Sequence, residues 1–383
     1  MTYRWIDQQD EFEALIDTLS AQPRYAIDTE FHRERTYFPK LALMQVAWDD
    51  QIVLVDPLPL DLAPLRRLFS SPAIAVFHAA QQDLDVLTHV CGAVPDRMFD
   101  TQLAAGFTGY STPSLLSLLQ AELGVVASKG DRLTDWLRRP LTDEQRVYAA
   151  GDVAHLIEMH DRLIDKLTSL GRLEWALDAC EELRVRPTGA IDPEQAWLRL
   201  KDVRVLKSRS RGVAQAVAAW RERRAAAADV PVRQVLPDLA ILGISQKHPK
   251  TPAELGQSRG VDERHSRGAM GVEILAAVAD GLGRDVQMPS ADVEDLDRAL
   301  RPAVTLVSAW VSEVARAERV DTALLATRSD IVSLLRGDAG ARLSEGWRAH
   351  LLGDGIRQLV EGRAGLTFDG KGGLRLIPVA TTD

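Results

Sequence analysis

A chain of 383 residues exceeds what one ordinary hydrophobic core holds, so about two to three domains are expected. Its 46% hydrophobic and 26% charged residues are the balance of a globular protein, which excludes a disordered or fibrous chain. The net charge of −9 would argue against a nucleic-acid partner if it were evenly spread, but nucleases that hold divalent metals concentrate carboxylates at the site.

The opening MTYRWIDQQDEFEALID places acids and amides where a secretion signal needs a basic and then an apolar run. No later stretch approaches ~18 uninterrupted apolar residues. A cytoplasmic protein that does not span a membrane, working as a monomer, is the expectation. YAIDT, LALMQVAW and QIVLVD, between residues 25 and 56, are predicted strands. APLRRLFS is a short helix, AIAVFHA a buried strand, and QQDLDVLTHV a helix with Leu84, Leu87 and Val90 on one stripe. The alternation predicts an α/β layered domain.

SLLSLLQAEL and TDEQRVYAAGDVAHLIEMHDRLIDKL read as long helices, the second opened by Thr142 with Gln145 three residues on, a capping box. The first domain is expected to close near residue 170. VRPTGAIDPEQAW breaks the periodicity at Pro187, Gly189 and Pro193, so residues 171–207 are expected to be a linker. Two small helical domains are expected over 208–288 and 289–383, divided by GRDVQMPSADVED. Cys91 and Cys180 are far apart and form no C-x-x-C pair, which predicts buried thiols in a reducing compartment.

Three groups of residues carry chemistry. Asp28 and Glu30 end the YAI strand, and residues two apart on a strand share a face. Two carboxylates held together repel unless a cation or proton is shared, and a divalent metal resolves the conflict. Alone, a D-x-E is more often a solvated strand end. In the second group, H-A-A-Q-Q-D-L from His78 to Leu84, Asp83 and Asp85 fall in one helical turn, about 200° apart, so only one of them can serve such a site. Each also reads as a favourable charge near a helix N-terminus. In the third, Tyr148 and Asp152 share a helix face at i and i+4, which by itself is an ordinary surface pair.

Taken in this order, the three groups resemble the exonuclease motifs of the DEDD superfamily, and the tyrosine marks its DEDDy branch. DTEFHRERTYFPKLALMQVA, the step Asp100-Thr101-Gln102 and KGDRLTDWLRRPLTDEQRVYAAGDVAHL resemble the ribonuclease D family. The resemblance implies a ribonuclease H-like α/β exonuclease domain with a mixed sheet, followed by two small all-α domains. It maps Asp28, Glu30, Asp83 and Asp152 onto the metal-binding acids and selects Asp83 over Asp85. Tyr148 becomes the residue that orients the attacking water. Gln82 stands where the family often has Glu, at a position outside the four acids.

An all-oxygen site suits two divalent ions, Mg2+ or Mn2+, able to activate a water and stabilise the departing 3′ oxygen. Tyr148, with an ordinary pKa near ~10, is suited to positioning rather than outright base catalysis. The implied activity is 3′-to-5′ exoribonuclease action on tRNA precursors and other small stable RNAs. The alternatives are a DNA exonuclease and a catalytically silent RNA-binding scaffold.

Lys129 and Arg132, in the ribonuclease D-like run with Trp136, are candidate RNA contacts or part of a surface cluster. Lys207, Arg209 and Arg211 belong to the clearest basic run of the chain. That run leads into VPVRQVLPDLAILGISQKHPKT, which resembles the helicase-and-ribonuclease-D C-terminal (HRDC) domain, a nucleic-acid-binding module. The last segment resembles a second, divergent copy. Gln45 reads as a polar side chain at a solvated strand end, and His78 as a core histidine supporting the site. His155 and His160, at i and i+5, miss the i, i+4 spacing of a zinc helix.

Overall fold

The computed structural model describes residues 2–126, 135–288 and 296–379. Residues 25–27 and, apart from Gln45, 41–47 are apolar with scarcely any alternation, the pattern of strands covered on both faces. They lie in the central strands of a six-stranded sheet made of β1 (Arg4–Ile6), β2 (Arg24–His32), β3 (Lys40–Trp48), β4 (Gln51–Val55), β5 (Ile74–Phe77) and β6 (Met98–Asp100). The order is β1-β4-β3-β2-β5-β6. β3 is antiparallel to both its neighbours, and the remaining pairs are parallel, so the sheet is mixed as expected.

Helices α1 (Gln9–Ser20), α2 (Leu65–Phe69) and α3 (Gln81–Cys91) pack Phe12, Leu15, Leu65, Leu68 and Leu84 onto one face of the sheet. α4 (Thr101–Gly106) and α5 (Leu115–Leu123) follow. The long segment expected as one helix is two, α6 (Asp143–Val153) and α7 (Leu156–Ser169), joined at Ala154–His155. The bend lets α6 lie over β3 and β4 with Ala149 and Ala150 against Leu43 and Leu54, while α7 turns to pack on α4 and α5.

Residues 171–207 are not a linker. α8 (Leu173–Arg184) buries Ala176, Ala179 and Leu183 against the first domain. A 3₁₀ turn over Pro193–Arg199 buries Trp197 in the core of the next unit. The connection shrinks to about residues 185–192. Its sequence misled because the apolar spacing of LEWALDACEELR precedes the Pro- and Gly-containing stretch rather than belonging to it.

The second unit contains α9 (Ser208–Ala228), α10 (Val232–Val235), α11 (Asp238–Lys247), α12 (Pro252–Gly256), α13 (Glu263–Ser266) and α14 (Gly268–Leu282). α9 and α14 cross backbone to backbone at Gly212 and Gly281, where a Cβ on either would strike the other's main chain. The third has α15 (Arg301–Glu318), α16 (Thr322–Leu325), α17 (Arg328–Arg336) and α18 (Gly346–Val360). It is not all-α: β7 (Ala364–Phe368) and β8 (Leu374–Pro378) pair around a turn with Gly370 and Gly372 at positive φ. Among the described residues, no helix is long and apolar enough to cross a membrane.

The third unit continues the core of the first. Val304, Val307, Val311, Leu352 and Ile356 join one apolar cluster with Phe107, Leu118, Leu163 and Leu167. Glu182 of α8 accepts hydrogen bonds from Arg342 at 2.8 Å and from buried Arg348 at 2.5 and 3.1 Å. Glu182→Ala would strand the Arg348 charge, so unfolding in urea is expected to lose roughly 2–4 kcal/mol. Removing Glu361 from its exposed pair with Arg363 should cost under about 1 kcal/mol. Equal losses would mean that Glu182 does not anchor the third unit.

Candidate active site

Asp28 and Glu30 project from β2 on the face covered by α6, and the register sets Asp28 opposite Gln45 and Glu30 opposite Leu43. α6 brings Asp152 onto the same face. Asp28, Glu30 and Asp152 each offer a carboxylate oxygen, and the three atoms lie within 4.8 Å of one another. Asp83 enters from the first turn of α3, 6% exposed, with one oxygen accepting the Thr29 hydroxyl. A cavity of about 270 Å³ is lined by these four acids together with Tyr148, His78 and Gln82.

The approach of Asp83 depends on the junction between β5 and α3. Ala79 takes a left-handed conformation, φ 63°, which an alanine keeps only where its surroundings enforce it. Asp100, at the end of the neighbouring strand β6, supplies the restraint. Its carboxylate accepts the N–H groups of Ala79 at 3.2 Å and Ala80 at 2.8 Å, and caps α4 through Gln102 and Leu103. Thr101 ties back to the Phe77 carbonyl, and His78 meets Thr101 and the Pro113 carbonyl at 2.9 and 3.2 Å. The Asp100-Thr101-Gln102 step thus aims α3, and with it Asp83. His78 lines the cavity with both ring nitrogens engaged by protein.

Tyr148 is held from behind, its ring stacked on buried Trp136 with centroids 6.2 Å apart. The turn carrying Trp136 is fastened by Arg139, which makes a two-pronged pair with Asp56 at 2.6 and 2.8 Å and reaches the Ala42 carbonyl. Trp136 is therefore a packing residue of the site. Gln45 is fully buried beneath α6, and neither of its amide atoms has a partner. Such a group costs stability, and its place directly across from Asp28 puts an unused amide beside the acids. The expected solvated strand end is wrong because β3 is an inner strand covered by α6.

Crowding shows in the electrostatics. Burial, and then repulsion from Asp152 and Asp83, pushes Glu30 up to about 8. Burial alone lifts Asp152 to about 7, and burial in the main lifts Asp83 to about 7. Asp28 rises well above the usual carboxylate range through burial and then its three acidic neighbours. These groups hold protons near neutral pH unless a cation takes their place. A hard, all-oxygen donor set of this kind fits Mg2+ or Mn2+.

All five expected site residues line one cavity, whereas Asp85 faces away, 3.7 Å from Arg33 and accepting the Gly189 N–H. Lys129 and Arg132 lie outside the described residues. Lys207 and Arg209 are exposed and Arg211 part-buried at the N-terminal end of α9. They are not brought to the acids.

Known proteins fit this geometry. The profile of a 3′-5′ exonuclease family matches residues 3–168, and that of the HRDC domain matches residues 210–278. The first match sets the class: the sheet and its acids form a 3′-5′ exonuclease domain of a metal-dependent nuclease type. Ribonuclease D of Jannaschia sp. is 36% identical over 380 residues, 96% of this chain and 97% of that protein. Ribonuclease D of Granulibacter bethesdensis is 35% identical over 96% of the chain and 94% of its own length. The crystal structure of Escherichia coli RNase D, an exoribonuclease involved in structured RNA processing, superposes with a TM-score of 0.84 at 30% identity, covering 94% of this chain and 99% of that one. The chain belongs to the ribonuclease D family.

Two measurements test the site. Acids with raised folded-state pKa values bind more protons folded than unfolded, so their contribution to stability is present at acid pH and lost as pH climbs from about 4 through about 8. With chelator, Asp28→Asn should melt higher than the wild type at pH 8, with a smaller difference at pH 5. A variant that melts lower at pH 8 would show that the acids do not repel. Separately, Asp83→Asn should reduce initial hydrolysis rates at least 100-fold more than Asp85→Asn, and the reverse order would move the site to the other face of α3.

Proposed function

We propose that this exoribonuclease releases 5′-mononucleotides one at a time from 3′ extensions of structured RNAs, tRNA precursors among them. Two divalent ions, Mg2+ or Mn2+, would be held by Asp28, Glu30, Asp83 and Asp152. The observation that carries the reading is the convergence of these acids and Tyr148, from two strand-borne and three helix-borne positions, on one cavity.

Bound there, the ions would supply the positive charge that lowers the pKa of a water and stabilises the departing 3′ oxygen. The chain's own residues do the rest. Asp83, with one oxygen committed to Thr29, presents the other in a fixed direction. Glu30 and Asp152 surrender their protons as cations enter, so affinity for metal rises with pH. Tyr148, braced by Trp136, orients the attacking water.

The modules after the catalytic domain fit the holding of an RNA body. α9 ends at left-handed Asp229 and is followed by a four-residue and a ten-residue helix; α15 ends at left-handed Arg319 and is followed by helices of four and nine. This shared succession supports a second, divergent HRDC-like unit over residues 296–379. Lys207, Arg209 and Arg211, at the end of α9 about 30 Å from Asp229 along its length, would meet RNA away from the scissile bond.

The test is purified protein on 3′-extended tRNA with and without Mg2+, read by product length, beside matched RNA and DNA single strands. Stepwise, metal-dependent shortening of RNA is expected; preference for DNA would overturn the substrate, and no hydrolysis would overturn the reading. Tyr148→Phe should lower kcat about 10- to 1,000-fold with RNA affinity little changed. Full turnover at saturating RNA would reduce Tyr148 to a packing residue.

A further inference from the structure

A second cavity, of about 500 Å³, opens where the 33–39 loop after β2 meets the second unit. Its lining interleaves with that of the acid cavity along the chain: on α3 Gln81 lines this cavity and Gln82 the acid one, and at the end of β2 Arg33 lines this cavity and Phe31 the acid one. A 3′ exonuclease holds the terminal nucleotide at its acids, so the strand on the 5′ side of the scissile phosphate must leave that cavity through an adjoining opening.

The lining suits such a strand. Phe38 and His89 stack face to face, centroids 4.5 Å apart and planes within 6°, forming an aromatic platform. Burial holds the His89 ring below its ordinary pKa, which favours the neutral form. Base stacking on aromatic rings is sequence-tolerant, because every base has a π-face. Arg33, Arg199 and Arg233 bring exposed guanidinium groups to the same walls. The lining also holds two acids: Glu222 accepts the Tyr37 hydroxyl, and Asp85 accepts the Gly189 N–H and pairs with Arg33 at 3.7 Å. Three arginines against two acids leave the walls with a positive excess, carried by Arg199 and Arg233.

The walls are also fixed relative to each other. Asp229, in left-handed conformation at the end of α9, accepts the N–H groups of Tyr37 and Phe38, both at 3.1 Å, and pairs with Lys40 at 3.6 Å. The second unit thus docks through the very residues that present the platform.

We propose that this groove is a subsite for the RNA strand 5′ of the scissile phosphate, seating a base against the Phe38–His89 stack and phosphates against Arg33, Arg199 and Arg233. The proposal rests on the exoribonuclease reading and adds to it where the strand lies. It assigns the second unit a share in seating single-stranded substrate close to the chemistry, whichever RNA is attached beyond.

Oligoadenylates of two and six nucleotides separate the two claims. Wild-type hydrolysis of the dinucleotide tests the acids and Tyr148, because so short a substrate barely reaches the groove. The ratio of kcat/KM for hexamer over dinucleotide tests the groove. The Arg199→Ala, Arg233→Ala double variant, altered only at exposed side chains, should lower that ratio roughly 10-fold, mainly through KM. It should also flatten the salt dependence of hexamer affinity, measured in chelator, by about 0.7 per phosphate contact removed. Phe38→Leu, which keeps apolar bulk, should lower the ratio, and Phe38→Trp should restore it. An unchanged ratio in the double variant, or an equal loss on both substrates, would overturn the proposal. A wild type inert on both would instead overturn the catalytic reading.

Discussion

The constraint on which the molecule depends is the mutual repulsion of four carboxylates drawn into one small cavity. Left to itself such a cluster would splay apart, and in Asp28 and Glu30, whose carboxyls are raised by burial and then by their acidic neighbours, that repulsion is visible. The resistance is built from fixed backbone. Asp28 and Glu30 sit on an inner strand paired on both sides, Asp83 on a helix whose entry is locked by Asp100, and Asp152 on a helix seated against β3 and β4. Arg139 fastens to Asp56 the turn whose Trp136 backs Tyr148. Each restraint lies one layer behind the cavity, where it does not compete with a metal for the carboxylates.

The two C-terminal units are joined to this scaffold by different physics. The second unit has its own core around Trp197, Val213, Leu236 and Ile274, and meets the first through the hydrogen bonds of Asp229 and the Tyr37–Glu222 pair. The third shares a core with the first, reinforced by Trp347 stacked on Trp175 at 4.8 Å and by Glu182 against two arginines. One junction is polar and confined to a loop beside the cavity, and the other is apolar and broad. The first holds the 33–39 loop in place, while the second secures α4, α5, α7 and α8.

What the sequence discloses is what local periodicity and chemistry determine. The two-residue period of a strand placed Asp28 with Glu30, helix rotation separated Asp83 from Asp85, and i, i+4 spacing joined Tyr148 to Asp152; all of these hold in the structure. Features that depend on distant partners were hidden. Gln45 reads as a solvated end unless one knows that α6, about a hundred residues later, covers it. Asp100 stands out in the sequence only as part of a family-like step, and its grip on Ala79 and Ala80 exists only because β6 pairs with β5. The bend at Ala154–His155 carries neither Pro nor Gly in its two residues and follows from the two surfaces that α6 and α7 must cover. α8 was absorbed into a supposed linker because its apolar face finds its partners in tertiary contact.

The shared core of the first and third units also bears on how the protein comes into being. Every acid of the cavity lies within the first 152 residues, yet Phe107, Leu163 and Leu167 are covered by side chains that run as far as Ile356. Synthesis proceeds from the N-terminus at about 5–20 residues per second. For roughly ten seconds or more the nascent chain carries all its catalytic groups on helices whose outer faces are still bare. Completion of the shared core therefore waits on synthesis of residues as far as Ile356, and a chain cut short before them carries the acids of the cavity on helices with an open core.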